Sequence, residues 1–157
     1  RKLVLLNSHG GNSSVLDIAA RDLRLLHDML AVCVSWSRFG FPDGLFPDAE
    51  IRHGIHAGAV ETSLMMAFRP ESVRDGEIAD FPPESRAMEE QFNWLSAGRP
   101  AGFGWMAQDI SQNGAMGDAS LATREKGDQL ADYGATAFIE LLRDIEGFDL
   151  DRLRKLP

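Results

Sequence analysis

After Arg1 and Lys2 the chain is apolar through Leu6, then turns abruptly polar and glycine-rich in "NSHGGN" over residues 7–12. A continuous β-prone run of this kind suits a strand buried on both faces of a parallel sheet. From Asn12 or Ser13, either of which can cap a helix, the period changes. Val15, Ile18, Ala19, Leu23, Leu26, Met29 and Leu30 recur at helical spacing, with Arg21, Arg24 and Asp28 between them. A second buried strand is expected at about residues 31–36. That β-α-β order implies a right-handed parallel crossover.

Periodicity then dissolves over residues 37–55, a stretch rich in Gly, Pro and Phe that reads as a loop long enough to shape a site. A helix is expected from Ala57 or Gly58 through Val60, Leu64, Met65 and Phe68, stopping before Pro70. Residues 70–117 read as mostly irregular, with one short helix near 84–95 and a short strand. The last helix is the clearest: Asp118 or Ser120 caps it, and Leu121, Leu130, Gly134, Phe138, Leu141, Leu142 and Ile145 line its inner face past a tolerated Gly127. The expected fold is α/β, in a single domain over residues 1–157.

Composition narrows the partners more than the fold. A net charge of −8 argues against nucleic-acid backbones and anionic membranes, both of which want a basic patch. Small molecules or proteins are the expected partners. No apolar run approaches the ~18 residues needed to span a bilayer, and no leader pattern opens the chain, so a soluble, cytoplasmic protein is expected. The single Cys33 excludes an internal disulfide and is expected in the core as a small hydrophobe.

Candidate chemistry sits at two turns. His9 falls where the first strand ends, at the sheet edge where ligands collect in open α/β proteins, and its glycine neighbours allow close approach. A neutral imidazole there can ligate a metal, oriented by Asn7 or Ser8. The same residues can equally form only a turn and helix cap. A phosphate cradle is disfavoured because no Lys follows the glycines. In "HGIHAGAVETS", residues 53–63, His56 precedes a helix whose first turn holds Glu61, which also suits the helix dipole. Two imidazole-bearing turns in a chain of four histidines favour a metal site, since such sites draw His and carboxylates from several loop ends. His53 is a further candidate; His27, on the first helix, reads as structural or solvated.

"NSHGGN", "HAGAVETSLMMAFRPESV" and "NGAMGDASLATREKG", in that order and at these separations, resemble the creatininase (creatinine amidohydrolase) family over nearly the whole chain. The resemblance implies a three-layer α/β sandwich with a mostly parallel central sheet flanked by helices. It also implies a pair of divalent metals, zinc, manganese or iron, at the sheet's carboxyl edge. It makes His9 a metal ligand and His56 the residue that handles protons beside the substrate. Creatininase itself carries Tyr and Glu directly after the ligand His. Gly10 and Gly11 stand there instead, so Glu61 becomes the candidate carboxylate ligand, and Gly10, Gly11 and His53 fall on the substrate side. The Trp-Asp pair of creatininase is replaced by Arg52 and His53, which changes that pocket wall.

Family members also carry an E-x-H-G-x-H segment followed by an Asp in their N-terminal third, supplying most of the metal ligands. Nothing here matches it. "EIRHGIH" has Glu50 off by one and aligns with the later motif, so the chain resembles the C-terminal part of such a protein. The implied activity is metal-assisted hydrolysis of a linear or cyclic C–N amide bond in a small molecule, in a homo-oligomer that by family resemblance is a hexamer. The competing expectations are an inactive fragment or structural subunit without a complete metal site, and a nucleotide-binding module built on "SHGGN".

Overall fold

The computed structural model describes residues 1–154. In chain order its elements are β1 (Lys2–Asn7), α1 (Ser13–His27), β2 (Leu30–Ser35), α2 (Asp48–His53), α3 (Ala59–Phe68) and β3 (Asp80–Phe81). There follow α4 (Glu84–Gln91), β4 (Leu95–Ser96), β5 (Ala101–Gly102), α5 (Ala107–Ile110), β6 (Gly117–Asp118) and α6 (Arg124–Gly147). The fold is α/β. Among the described residues the strands form three separate pairs: β1–β2 and β4–β5 parallel, β3–β6 antiparallel. Two compact units result, one comprising Arg1–Phe41 with the chain from Tyr133 onward, the other Pro42–Asp132.

The first unit is the expected β-α-β element. β1 and β2 run parallel from the Lys2↔Leu30 pair to the Asn7↔Ser35 pair. α1 lies mainly against β2 and ends where Asp28 takes a left-handed conformation, φ 51°. Asn12 occupies the N-cap position without a side-chain capping bond; its amide instead donates to Asn7 Oδ1 at 3.4 Å. The strand pair is not sealed on both faces, contrary to expectation. Leu6 and Cys33 are exposed, and the Cys33 thiol donates to the Leu16 carbonyl at 3.1 Å. Neither strand has a further neighbour among the described residues to shield it. The later part of α6 packs here through an aromatic cluster of Trp36, Phe39 and Phe138. Gly134 is required at that contact, since a Cβ on it would lie 2.5 Å from the Trp36 ring.

The second unit carries most of the buried core: Phe46, Ala59, Met88, Ile110, Met116, Ala119 and Leu130. α3 ends at Phe68, before Pro70, as its pattern predicts. α4 is shorter than expected. α2 lies inside the stretch expected to be loop: Pro47 starts it, Gly54 stops it, and at six residues it is too short to show a period. The start of the last helix also differs. Asp118 caps a 3-10 turn over residues 119–121, accepting from the Ser120 amide at 3.0 Å, and α6 begins only at Arg124. Leu121 therefore belongs to the turn. Gly127 is more than tolerated, because a Cβ there would sit 2.0 Å from the Ser63 carbonyl oxygen, so α3 and the first turns of α6 pack backbone to backbone.

Candidate functional site

In the first unit Asn7, almost fully buried at the end of β1, organises the "SHGGN" turn. Its Oδ1 accepts the His9 amide at 3.2 Å, and its Nδ2 donates to the His9 carbonyl at 2.9 Å and to Ser35 Oγ at 3.0 Å. Asn7 thus fixes the His9 backbone, tying it to both strands. The imidazole folds back over Gly11, where a Cβ would come within 2.8 Å of His9 Nε2. Gly10 meets nothing within 4 Å. So the second glycine is explained by the His9 ring.

The second unit holds His56, Glu61 and His53. His56 is locked into the backbone by an antiparallel bridge to Met116, whose amide donates to the His56 carbonyl at 2.7 Å. The next residue, Ala57, has φ 54°, a left-handed conformation that costs a non-glycine residue about 1–2 kcal/mol. Two bonds from α3 hold it there. The Ala57 amide donates to Glu61 Oε2 at 2.8 Å, and the Thr62 hydroxyl donates to the Ala57 carbonyl at 3.2 Å. The other carboxylate oxygen of Glu61 lies 3.5 Å from His56 Nδ1, at the loose end of hydrogen-bond range. Sharp turn, imidazole and carboxylate therefore form one unit of local structure, with strain stored at its centre. Glu61 also borders an open cavity of about 650 Å³ whose walls include Met65, Val73, Arg74, Phe81 and Asn113.

His53 is buried and faces elsewhere. Its Nδ1 pairs with Ser85 Oγ at 3.0 Å and its Nε2 with Glu89 Oε2 at 2.7 Å, joining α2 to α4. The bond to His53, followed by that to Arg52, holds the Glu89 carboxyl below its ordinary range. Arg52, His53 and Glu89 border a second cavity of about 640 Å³ with Trp94 and Trp105.

The motifs give no role to Glu50. Glu50, 1% exposed, accepts the Ala59 amide on Oε1 at 2.7 Å and the Asp118 amide on Oε2 at 2.8 Å. Gly54, Gly58 and Gly117 crowd it, and a Cβ on any of them would fall 2.2–2.7 Å from Oε1. The available signal was a carboxylate followed by Gly54 and Gly58, but the third glycine comes from a distant segment.

Among the described residues no three His, Cys, Asp or Glu side chains cluster closely enough to hold a metal ion. Within the second unit the donors are otherwise engaged: Glu50 by backbone amides, His53 by Ser85 and Glu89. The residues present do not amount to a complete metal centre.

Comparison with known proteins places this geometry in a family. A sequence model described as creatininase, creatinine amidohydrolase, matches residues 1–142. The creatinine amidohydrolase of Pseudomonas putida is 29% identical over 155 residues, covering 92% of this chain and 55% of that protein. A crystal structure from Bacteroides fragilis assigned as a creatinine amidohydrolase is 27% identical, with a TM-score of 0.74 over 96% of this chain and 56% of its own. A manganese form of creatininase is 27% identical, with a TM-score of 0.65 over 90% of this chain and 55% of its own. The chain thus spans about 55% of the length of the relatives it matches. Matched over most of its own length in sequence and in backbone, the chain belongs to the creatininase family.

Proposed function

We propose that the protein takes part in metal-dependent hydrolysis of a C–N amide bond, linear or cyclic, in a small molecule, and that His56 carries the proton. The observation that supports this best is the strained turn that holds His56 beside Glu61. With Nδ1 facing the carboxylate, Nε2 is the nitrogen that exchanges a proton with the substrate. Water oxygen bonds to the carbonyl carbon, His56 takes one of its protons, and the same proton passes to the nitrogen as the C–N bond breaks. Such a positioned acid–base is worth about 10² to 10⁴ in rate. The cavity beside Glu61, whose walls mix apolar side chains with Thr62, Ser72, Arg74, Glu77 and Asn113, is of small-molecule size.

His9 and Glu61 are the proposed metal ligands of this chain. Glu61 keeps lone pairs beyond the two its present contacts use, so orienting His56 and ligating a cation are compatible. Two ligands are fewer than the three a catalytic zinc takes from protein. A bound divalent metal would supply carbonyl polarisation and an acidified water. The remaining ligands, we propose, lie outside residues 1–157. Gly10 and Gly11 keep their proposed place on the substrate side, Gly11 in direct support of the His9 ring, whereas a substrate-side role for His53 would lie at the second cavity, which it borders with Trp94 and Trp105. A homo-oligomer is proposed too, supported by the exposure of Val15, Ile18, Leu25 and Leu26 on α1. No helix among the described residues is long and apolar enough to cross a membrane, which accords with the proposed cytoplasmic location.

The test is turnover of a panel of small amides, creatinine included, with manganese or zinc supplied. Hydrolysis that stops on chelation and returns with metal supports the proposal; amide turnover indifferent to chelation overturns its metal dependence. Absence of turnover and of metal binding in every form of the protein would favour the structural-subunit alternative.

A further inference from the structure

We infer that Glu50 is the positioning residue of His56, fixing the loop that carries the imidazole through that loop's backbone; this rests on the proton-carrying role proposed for His56. The loop begins and ends on Glu50. Its first residue, Gly54, donates its amide to the Glu50 carbonyl at 2.7 Å. Its far end is held by the Ala59 amide, at the first residue of α3, donating to Glu50 Oε1 at 2.7 Å. The strand residue across from the loop is held by the same group, since the Asp118 amide donates to Oε2 at 2.8 Å. Between those anchors, His56 and Met116 pair through their backbones.

A merely space-filling residue at this point would not be a carboxylate. Burying a charge costs several kcal/mol before compensation, and an apolar side chain of similar volume would fill the site at no such cost. Here the compensation comes from two backbone amides and from Arg86, whose guanidinium approaches Oε2 at 4.0 Å and Asp80 at 4.0 Å. Three chain segments therefore converge on one anionic group. Gly54, Gly58 and Gly117 make the convergence possible, because a methyl group at any of them would occupy the carboxylate's space. The carboxylate replaces the side-chain cap that Gly58 cannot provide for α3, the helix that bears Glu61. Glu50 thus sets both members of the His56–Glu61 pair through backbone alone.

The test is residue-resolved amide hydrogen exchange on Glu50→Gln, which keeps one acceptor and loses the other. Protection of the His56, Ala59, Met116 and Asp118 amides should fall about tenfold or more, the effect of losing one charge-assisted hydrogen bond, while α4 and the β1–β2 pair keep theirs. Turnover should fall on the order of 10- to 100-fold with KM little changed. Unchanged protection at those four amides, or an equal loss throughout the second unit, would overturn the inference. Exchange does not depend on which reaction is catalysed, so failure of the hydrolase proposal would show separately, as lost turnover with the exchange pattern intact. If Glu50→Gln does not fold, the wild-type protein decides: the four amides should open as one event across denaturant. Opening of His56 and Met116 independently of Ala59 and Asp118 would refute the role.

Discussion

His56 Nδ1 and Glu61 Oε1 lie 3.5 Å apart across a left-handed Ala57 whose amide is bound by the same carboxylate. Glu61 therefore meets the imidazole twice, directly at Nδ1 and indirectly by holding the turn. Glu61→Gln retains an acceptor for the Ala57 amide and removes the charge. It should keep the fold and lower turnover on the order of 10- to 100-fold, as second-layer partners of a functional histidine typically do. Measuring bound metal in the same variant, in the protein with its ligand set complete, separates the two roles: metal lost with the charge marks Glu61 as a ligand, metal kept leaves it as the orienting group.

Gly127 gives a stability test in which two effects oppose each other. Alanine is the better helix former by about 1 kcal/mol in a helix interior. At this position, though, the added methyl would sit 2.0 Å from the Ser63 carbonyl oxygen, which is backbone and cannot swing away. Overpacking of this kind costs about 1–3 kcal/mol or more, so Gly127→Ala should lower the denaturation midpoint. Gly147, at the end of the same helix, meets nothing within 4 Å, and Gly147→Ala should be neutral or mildly stabilising. Urea denaturation of the two variants checks the contrast.

Glu89 makes stability depend on acid pH. Its carboxyl is held below its ordinary value of 4.5 by the bond to His53 first and to Arg52 second. A carboxyl with a depressed folded pKa stabilises the protein fully above its unfolded value and loses that contribution as pH falls through the folded one. The midpoint difference between wild type and Glu89→Gln should therefore be largest near neutrality and shrink below about pH 4.5. Half-exposed as it is, Glu89 contributes a solvent-screened effect, and equal differences at pH 7 and pH 3 would contradict it.

Metal affinity follows from ligand count. On the proposed assignment, His9 and Glu61 are fewer ligands than the three a catalytic zinc takes from protein, so residues 1–157 alone should lose added manganese or zinc on dialysis against a mild chelator. Elemental analysis should find well under one equivalent; two tightly held equivalents would reveal a complete site in this chain.

How far the sequence anticipates this structure depends on element length. β1, α1, β2, α3 and the body of α6 are legible because their apolar periods run long enough to count, and the "HGGN" and "HAGAVETS" turns are legible because glycines and caps mark them. α2 is not, since six residues between Pro47 and Gly54 carry no period. Glu50 is not, because what buries it arrives partly from Gly117, far along the chain. Asp118 misleads for a different reason: a capping residue announces a turn but not which helix type follows, and here a 3-10 turn intervenes. Cys33 sits on an exposed edge strand that composition alone reads as core.

His56 is proposed to carry the proton for C–N cleavage at a metal-dependent site. The most direct measurement is turnover of small linear and cyclic amides under saturating manganese, by the protein with its ligand set complete, in wild type and His56→Ala. A fall of about 10² to 10⁴ in kcat with bound metal unchanged is expected. Turnover undiminished in His56→Ala, or metal lost along with the imidazole, would contradict it.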